Sequence, residues 1–250
     1  MKTIIVTGGT RGIGKAIVNL LVDKIQQQDP LLHQAQLVVT YRSGADSAHA
    51  LQQHCAARGV MIDMQAMDLA DQASMQQFSQ YMAERYGRVD VLVNNAGLTH
   101  DGAFLALADQ DVAALLHTNL AGTMQLTELL LPLIPRQQHA AIIVMASAAG
   151  VYGKEGQVPY STTKGGLIGY AQLLARRVGR EGIYVNAVAP GFIATDMVAA
   201  LDPSMFEHTL SNASLGAMGQ TRDVAHIVHS LFTPGYIQAT TIKVDGGHLR

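Results

Sequence analysis

Tyr160 and Lys164 stand four residues apart in a stretch with helical spacing, so they lie on one face of a helix, one turn apart. A phenol is a poor acid or base at neutral pH, because its ordinary pKa lies near ~10. A lysine ammonium one turn away favours the phenolate and brings that pKa toward working range. Ser147, thirteen residues earlier, ends a strand-like run, and its hydroxyl can hold a substrate carbonyl. A Tyr-x-x-x-Lys pair alone is weak evidence, since such pairs recur by chance. It gains weight from a second feature near the start of the chain. There Thr7-Gly-Gly-Thr-Arg-Gly-Ile-Gly14 joins a strand-like run to a helix. A strand, a glycine-rich turn and a helix N-terminus, in that order, suit a pyrophosphate: Gly8 permits the tight turn, Gly12 lets the backbone approach the anion, and Gly14 lets helix and strand pack closely. The spacing is Gly-x-x-x-Gly-x-Gly rather than the commoner Gly-x-Gly-x-x-Gly, and in isolation such a turn is also compatible with a purely structural role.

The elements that must position these groups can be read from the apolar pattern. Runs rich in β-branched residues cover 3–7, 37–41, 60–67, 89–94, 141–146, 183–188 and 241–244, and helical spacing covers 13–22, 109–131 and 163–178. Nearly continuous apolar strands alternating with helices predict a parallel sheet covered on both faces, hence a doubly wound α/β fold of the Rossmann type. A length of 250 residues suits one domain, and no linker or internal repeat divides it.

The second strand ends at Tyr41 and is followed by Arg42, where a chain preferring NAD places an acid on the ribose 2′-hydroxyl. Arg42, with Arg11 in the glycine turn, instead suits a 2′-phosphate, so the cofactor expected is NADP(H). Asp68, followed by Leu69, ends the third strand where a side chain reaches an adenine. Asn94-Asn-Ala-Gly97 ends the fourth, where small residues let the backbone pass the adenosine ribose. Turn chemistry alone would also account for Asn94 and Asn95.

Composition bounds the partners. Seventeen basic and nineteen acidic residues leave a net charge of -2, which argues against nucleic acid. Charged residues make up 14% of the chain, and so low a fraction hints at surface buried by self-association. Cys55 is the sole cysteine, so no disulfide can form within the chain, and a reducing cytoplasm is the expected compartment. No apolar run has the length of a membrane span, and the first strand begins too early for a signal peptide. His226 and His229 share a helix face, but no third ligand is evident; a surface role is expected, and no metal.

Taken together, the chain resembles the short-chain dehydrogenase/reductase family from Lys2 to about His248. The resemblance is carried by Thr7–Gly14, Asp68, Asn94–Gly97, Asn119, Ser147, Tyr160, Lys164, Pro190-Gly191 and Thr195, in order. It implies that Tyr160 is the general acid in reduction, that Lys164 lowers its pKa and holds a nicotinamide ribose, and that Ser147 orients the carbonyl. It further implies that Asn119 helps hold a water of a proton relay. Gly8, Thr10, Arg11, Gly12, Ile13 and Gly14 would cradle the cofactor phosphates. Tyr41, Arg42, Asp68, Leu69, Asn95, Ala96 and Gly97 would hold the adenosine part. Pro190, Gly191, Phe192, Ile193 and Thr195 would pass beside the nicotinamide. Within the family the sequence is most similar to the bacterial 3-oxoacyl-(acyl-carrier-protein) reductases, through Asn94-Asn-Ala-Gly-Leu-Thr-His-Asp101, Gly165-Gly-Leu-Ile-Gly169 and Pro190-Gly-Phe-Ile-Ala-Thr-Asp-Met197.

That likeness implies reduction of a 3-oxoacyl thioester, on acyl carrier protein or coenzyme A, by a homotetramer with a small helical lid over about 197–219. Reduction of another small carbonyl compound, or a non-catalytic place in a hetero-oligomer, are the alternatives. Four departures stand out. About four extra residues fall around 26–32. Ser214-Leu-Gly-Ala217 replaces a common Pro-Leu-Gly-Arg. The loop at 233–236 is shortened. Gln138 and Glu181 occupy positions where relatives place carrier-docking arginines, with Arg136, Arg176, Arg177 and Arg180 as neighbouring compensations.

Overall fold

The protein is described here from a computed structural model covering residues 2–195 and 213–247. The described elements are, in order, β1 (Thr3–Val6), α1 (Gly12–Gln26), β2 (Gln36–Tyr41), α2 (Ala45–Ala57), β3 (Ile62–Ala66), α3 (Gln72–Arg85) and β4 (Val91–Asn94). There follow α4 (Asp109–Leu115), a π-wound segment (Leu116–Gly122), α5 (Thr123–Leu130), β5 (Ala140–Met145), α6 (Ala148–Tyr152), α7 (Val158–Val178) and β6 (Ile183–Pro190). The short β7 (Ile193–Ala194) and β8 (Gly219–Gln220), the helix α8 (Thr221–Ser230) and β9 (Thr241–Val244) complete it. Seven strands form one parallel sheet in the order β3-β2-β1-β4-β5-β6-β9.

The strands read as continuous apolar runs because both faces are covered. Ile5, Val38, Leu92 and Ile142 project into one core layer with Met75, Phe78 and Met82 of α3, Leu126 and Leu130 of α5, and Leu167, Leu174 and Val178 of α7. Ile4, Val6, Leu37, Val39, Val93 and Ile143 project into the other, against Ile17, Val18 and Leu21 of α1, Leu51 of α2, and Val224 and Val228 of α8. β3 and β9, at the two edges, are only partly buried. The chain reverses direction across the sheet between β1 and β4. At such a switch point the connections leave in opposite directions and a crevice opens beyond the strand carboxyl ends.

The expected helix over 109–131 is not uniformly α-helical: its middle, Leu116–Gly122, is π-wound, and the backbone stays in the right-handed helical region throughout. Gly122 shows why the path is constrained. A Cβ there would lie 2.1 Å from the carbonyl oxygen of Leu69, so the helix rests directly on the loop after β3. The extra residues around 26–32 are only partly the solvated loop expected. Gln26–28 are exposed, but Leu32 is fully buried in the α1–α8 layer. Asp29 caps its own turn by accepting from Leu31 N and lies 3.4 Å from His229 of α8. His229 therefore departs from the surface reading: it is largely enclosed, tilted against Phe232, and burial lowers its pKa while Asp29 opposes. Most of the expected lid, up to residue 212, lies outside the described residues.

Candidate active site

The glycine-rich turn is built around Thr7. Its buried hydroxyl accepts from the backbone N–H of Asn95 and of Ala96, both at 2.9 Å, and donates to Val93 O at 3.3 Å. Asn95 returns the tie, its side-chain amide donating to Thr7 O at 2.9 Å and Gly8 O at 3.1 Å. The ends of β1 and β4 are thus locked together. A Cβ at Gly14 would lie 2.2 Å from Gly8 O, so α1 can begin against the turn only with glycine there. Gly9 is a requirement that the sequence reading did not single out: a Cβ there would strike Val39 of β2 at 2.3 Å. No motif spacing marks it, because its neighbour lies thirty residues away.

α1 starts with no acidic residue in its first turn and no side-chain cap from Arg11. Its first N–H groups and positive dipole end therefore face the crevice as an anion site. Arg11 and Arg42 are exposed on either side of the turn, and neither is ion-paired to a described residue. Gly12 has φ +52°, and a Cβ on it would lie 3.7 Å from Thr195, which places Thr195 beside the turn although the two are far apart in the chain. Tyr41 is half-buried at the end of β2, where its carbonyl accepts from Met67 N at 2.8 Å. The Asp68 carboxylate accepts from Ala70 N at 2.9 Å, and Leu69 is buried. Asn94 turns inward and donates to Thr127 at 2.9 Å, a structural role separate from that of Asn95.

The reactive end of the crevice lies beyond β5 and β6. Ser147 precedes α6, accepts from Ala149 N at 3.2 Å, and lies close enough to the Tyr160 phenol to act on its ionisation. Tyr160 occupies the first turn of α7, just after Pro159, which suits a helix start. Lys164, one turn on, is buried, and its Nζ donates to Met145 O at 2.7 Å and sits 5.8 Å from the Tyr160 ring centre. Such close packing of α6 on α7 depends on Gly150, where a Cβ would lie 2.5 Å from the Lys164 backbone. Burial raises the Tyr160 phenol above the ordinary tyrosine range, Ser147 opposes that shift, and the charge of Asp101 adds to it. The direction is the reverse of the depression expected from Lys164. Burial lowers the Lys164 ammonium itself to about 8.

Asn119, fully buried in the π-wound segment, accepts from Leu98 N at 2.7 Å and donates to Leu98 O at 2.8 Å. Its side chain is thus committed to the backbone just past Gly97. A Cβ at Gly97 would come within 3.2 Å of Asn119 Oδ1 and 3.5 Å of Lys164 Nζ, so glycine keeps the crevice open here. On the far wall, Gly191 N donates to Val244 O at 2.9 Å, and Ile193 is buried where β7 pairs with β8. Among the described residues no cluster of His, Cys, Asp and Glu could hold a metal, and no helix is long and apolar enough to cross a membrane.

The positions expected to dock a carrier are occupied differently from the sequence reading. Arg136 is ion-paired with Glu181, so the acid is neutralised and the arginine engaged. Gln138 accepts from Arg88 at 3.2 Å, and Arg177 is held by both carboxylate oxygens of Glu128. Arg176 and Arg180 remain exposed and free of ion pairs to described residues.

The family model for short chain dehydrogenases matches residues 2–205. A 3-oxoacyl-(acyl-carrier-protein) reductase from Escherichia coli strain K12 is 32% identical over 248 residues, covering 98% of this chain and 96% of that protein. A solved short chain dehydrogenase from Burkholderia cenocepacia J2315, in complex with NADP, superimposes with a TM-score of 0.87 at 30% identity, over 98% of this chain and 97% of that one. A blue fluorescent protein from a metagenomic library, in complex with NADPH, does so with the same TM-score at 32% identity and the same coverage.

The position of Lys164 generates an expectation for stability. Between about pH 8 and the ordinary lysine range near ~10.4, the unfolded chain holds a proton on this residue that the folded chain has released. The lysine therefore costs stability in full below that window, and its contribution makes the protein more stable as pH rises through it, by up to about 1.4 kcal/mol per pH unit. Denaturant unfolding of the parent and of Lys164→Met across this range should show the extra upward slope in the parent alone; parallel profiles would mean that the ammonium is not desolvated.

Proposed function

The chain belongs to the short-chain dehydrogenase family, and on that premise we propose that it reduces the keto group of a 3-oxoacyl thioester with NADP(H). The observation that carries this reading is the grouping, at one end of the crevice, of a buried ammonium (Lys164), a phenol one helical turn before it (Tyr160) and a hydroxyl that acts on that phenol (Ser147). The neutral phenol carries the proton that reduction of a carbonyl requires.

The residues fit the cofactor. The uncapped start of α1 and the turn at 8–14 offer N–H groups to a pyrophosphate. Arg11 and Arg42, exposed and without an ion pair to a described residue, suit a 2′-phosphate through charge-assisted hydrogen bonds. Gly97 and Thr195 bound the path from the adenosine end to the reactive end. When bound, the reduced nicotinamide supplies the hydride. Ser147 donates a hydrogen bond to the substrate carbonyl oxygen and fixes its position. Tyr160 transfers its phenolic proton to that oxygen as the carbon accepts the hydride, so the ketone leaves as the alcohol. Lys164 stands behind the phenol and limits the cost of the phenolate that remains. Lys164 would then stand next to the phenolate as it is reprotonated, and Asn119 borders the same space.

The thioester assignment rests on the likeness to the 3-oxoacyl-(acyl-carrier-protein) reductases. The pairing of Arg136 with Glu181, and Gln138 in place of a base, leave Arg176 and Arg180 as the basic positions for a carrier. That arrangement favours coenzyme A or a specialised carrier protein over a housekeeping one.

The exposed apolar side chains Leu116 and Met124, on the helix through the π-wound segment, and Leu173 on α7 favour a homotetramer in which these helices pack on their copies. Light scattering at micromolar concentration should give four times the chain mass, and Leu173→Glu should lower it; a monomeric parent would remove this assembly.

For the cofactor, Arg42→Ala should weaken NADPH binding about 10- to 100-fold, since one charge-assisted contact contributes roughly 1.5–3 kcal/mol, and leave NADH binding nearly unchanged. Equal losses for both cofactors would contradict the assignment. For the chemistry, NADPH oxidation should be rapid with acetoacetyl-CoA or an acetoacetyl carrier protein and slow with a simple ketone. Tyr160→Phe should reduce turnover by about 10²–10⁴-fold while still binding NADPH. Faster reduction of simple ketones than of every thioester would shift the substrate class to small carbonyl compounds.

A further inference from the structure

Lys154 has no part in the chemistry above, yet it stands at the edge of the same crevice. It lies in the connection at 153–157 between α6, which follows Ser147, and α7, which begins two residues before Tyr160. Two contacts tie this connection to the loop after β4: Gly102 N donates to Gly156 O at 2.8 Å, and Gln157 Nε2 donates to both Asp101 oxygens at 2.8 Å. The charge of Asp101 acts on both Lys154 and Tyr160, so all three share one neighbourhood. The third wall is Phe192, two residues past Pro190, whose ring lies 4.7 Å from Lys154 Nζ.

Lys154 as a whole is exposed, but its ammonium is drawn over the Phe192 ring and has lost part of its water; burial lowers its pKa, and Asp101 opposes. No described carboxylate lies within ion-pairing distance of it. Asp101 is engaged elsewhere, by Gln157 and by Thr99 at 3.2 Å. A cation held over an aromatic face, partly dehydrated and outside ion-pairing distance of every described carboxylate, at the rim of a carbonyl-reducing site, suits an anion carried by the substrate.

We propose that Lys154 is a substrate-binding residue that selects carbonyl compounds carrying an acidic group. Two sources share this chemistry: the phosphates of a thioester's pantetheine arm, or a carboxylate on the oxo acid itself. The inference rests on the reductase reading for the identity of the crevice, but its test does not require turnover. NADPH oxidation is measured with acetoacetyl-CoA, with acetoacetate, and with the uncharged thioester acetoacetyl-N-acetylcysteamine, for the parent, Lys154→Met and Lys154→Arg. For at least one of the two anionic substrates, kcat/KM relative to the uncharged thioester should fall about tenfold in Lys154→Met and be largely kept in Lys154→Arg. A loss confined to acetoacetyl-CoA identifies phosphate as the ligand, and a loss confined to acetoacetate identifies carboxylate.

Binding of coenzyme A and of 3-hydroxybutyrate to the NADP-loaded protein, followed by calorimetry, reads the same contact without chemistry. At least one of the two should weaken about tenfold in Lys154→Met. Failure of the parent to reduce any thioester would end the thioester reading and leave this binding comparison standing. Unchanged binding of both anions, or an equal loss for charged and uncharged substrates, would overturn the role of Lys154.

Discussion

A lysine ammonium buried without a described carboxylate partner is the constraint around which the active end of the molecule is arranged. Burying a cation is costly unless hydrogen bonds replace its water. Lys164 meets one such bond, from Nζ to Met145 O at the end of β5, and leans toward the Tyr160 ring. Several features that look independent in the sequence serve that position. Gly150 lets α6 lie against the backbone of Lys164, and Gly97 leaves open the space in front of the ammonium. Asn119, held by both polar groups of Leu98, fixes the loop that borders that space. The π-wound segment in turn places Asn119, and Gly122 allows the segment to rest on Leu69.

Charge is distributed unevenly along the crevice, and the unevenness is informative. At the glycine-turn end, the helix start, Arg11 and Arg42 present positive potential with no described acid to quench it. At the reactive end the groups are instead desolvated, so the phenol is pushed toward its neutral form and the lysine toward easier deprotonation. The potential thus favours an anion at one end, and desolvation favours neutral forms at the other. Lys154 adds a cation at the rim on the substrate side. On the outer surface, by contrast, Arg136 and Arg177 are spent on Glu181 and Glu128, which removes them from the pool of bases free to meet an acidic partner.

Much of this was legible in the chain itself. The continuous apolar runs required a sheet covered on both faces, and the turn at 8–14 followed by a helix located an anion site, because strand, turn and helix are contiguous and their geometry is local. The i, i+4 relation of Tyr160 and Lys164 is likewise local. The absence of an acid after β2 marked the cofactor preference through one position. Less legible were features whose partner is distant in sequence. Gly9 is dictated by Val39, Gly122 by Leu69 and Gly150 by Lys164, and no spacing rule connects those pairs. His226 and His229 share one helix face, yet only packing distinguishes an exposed ring from one enclosed against Asp29 and Phe232.

The sequence by itself determined the order of elements, the doubly wound sheet and the candidates for the reactive side chains, because hydrophobic periodicity and short-range spacing are properties of neighbouring residues. Only the tertiary structure decided their state. The direction of the Tyr160 and Lys164 shifts, the commitment of Asn119 to Leu98 and the placement of the Lys154 ammonium over Phe192 depend on how much water each group loses and on which groups replace it. Those quantities arise where segments far apart in the chain close on one another, and a linear pattern of residue types does not contain them.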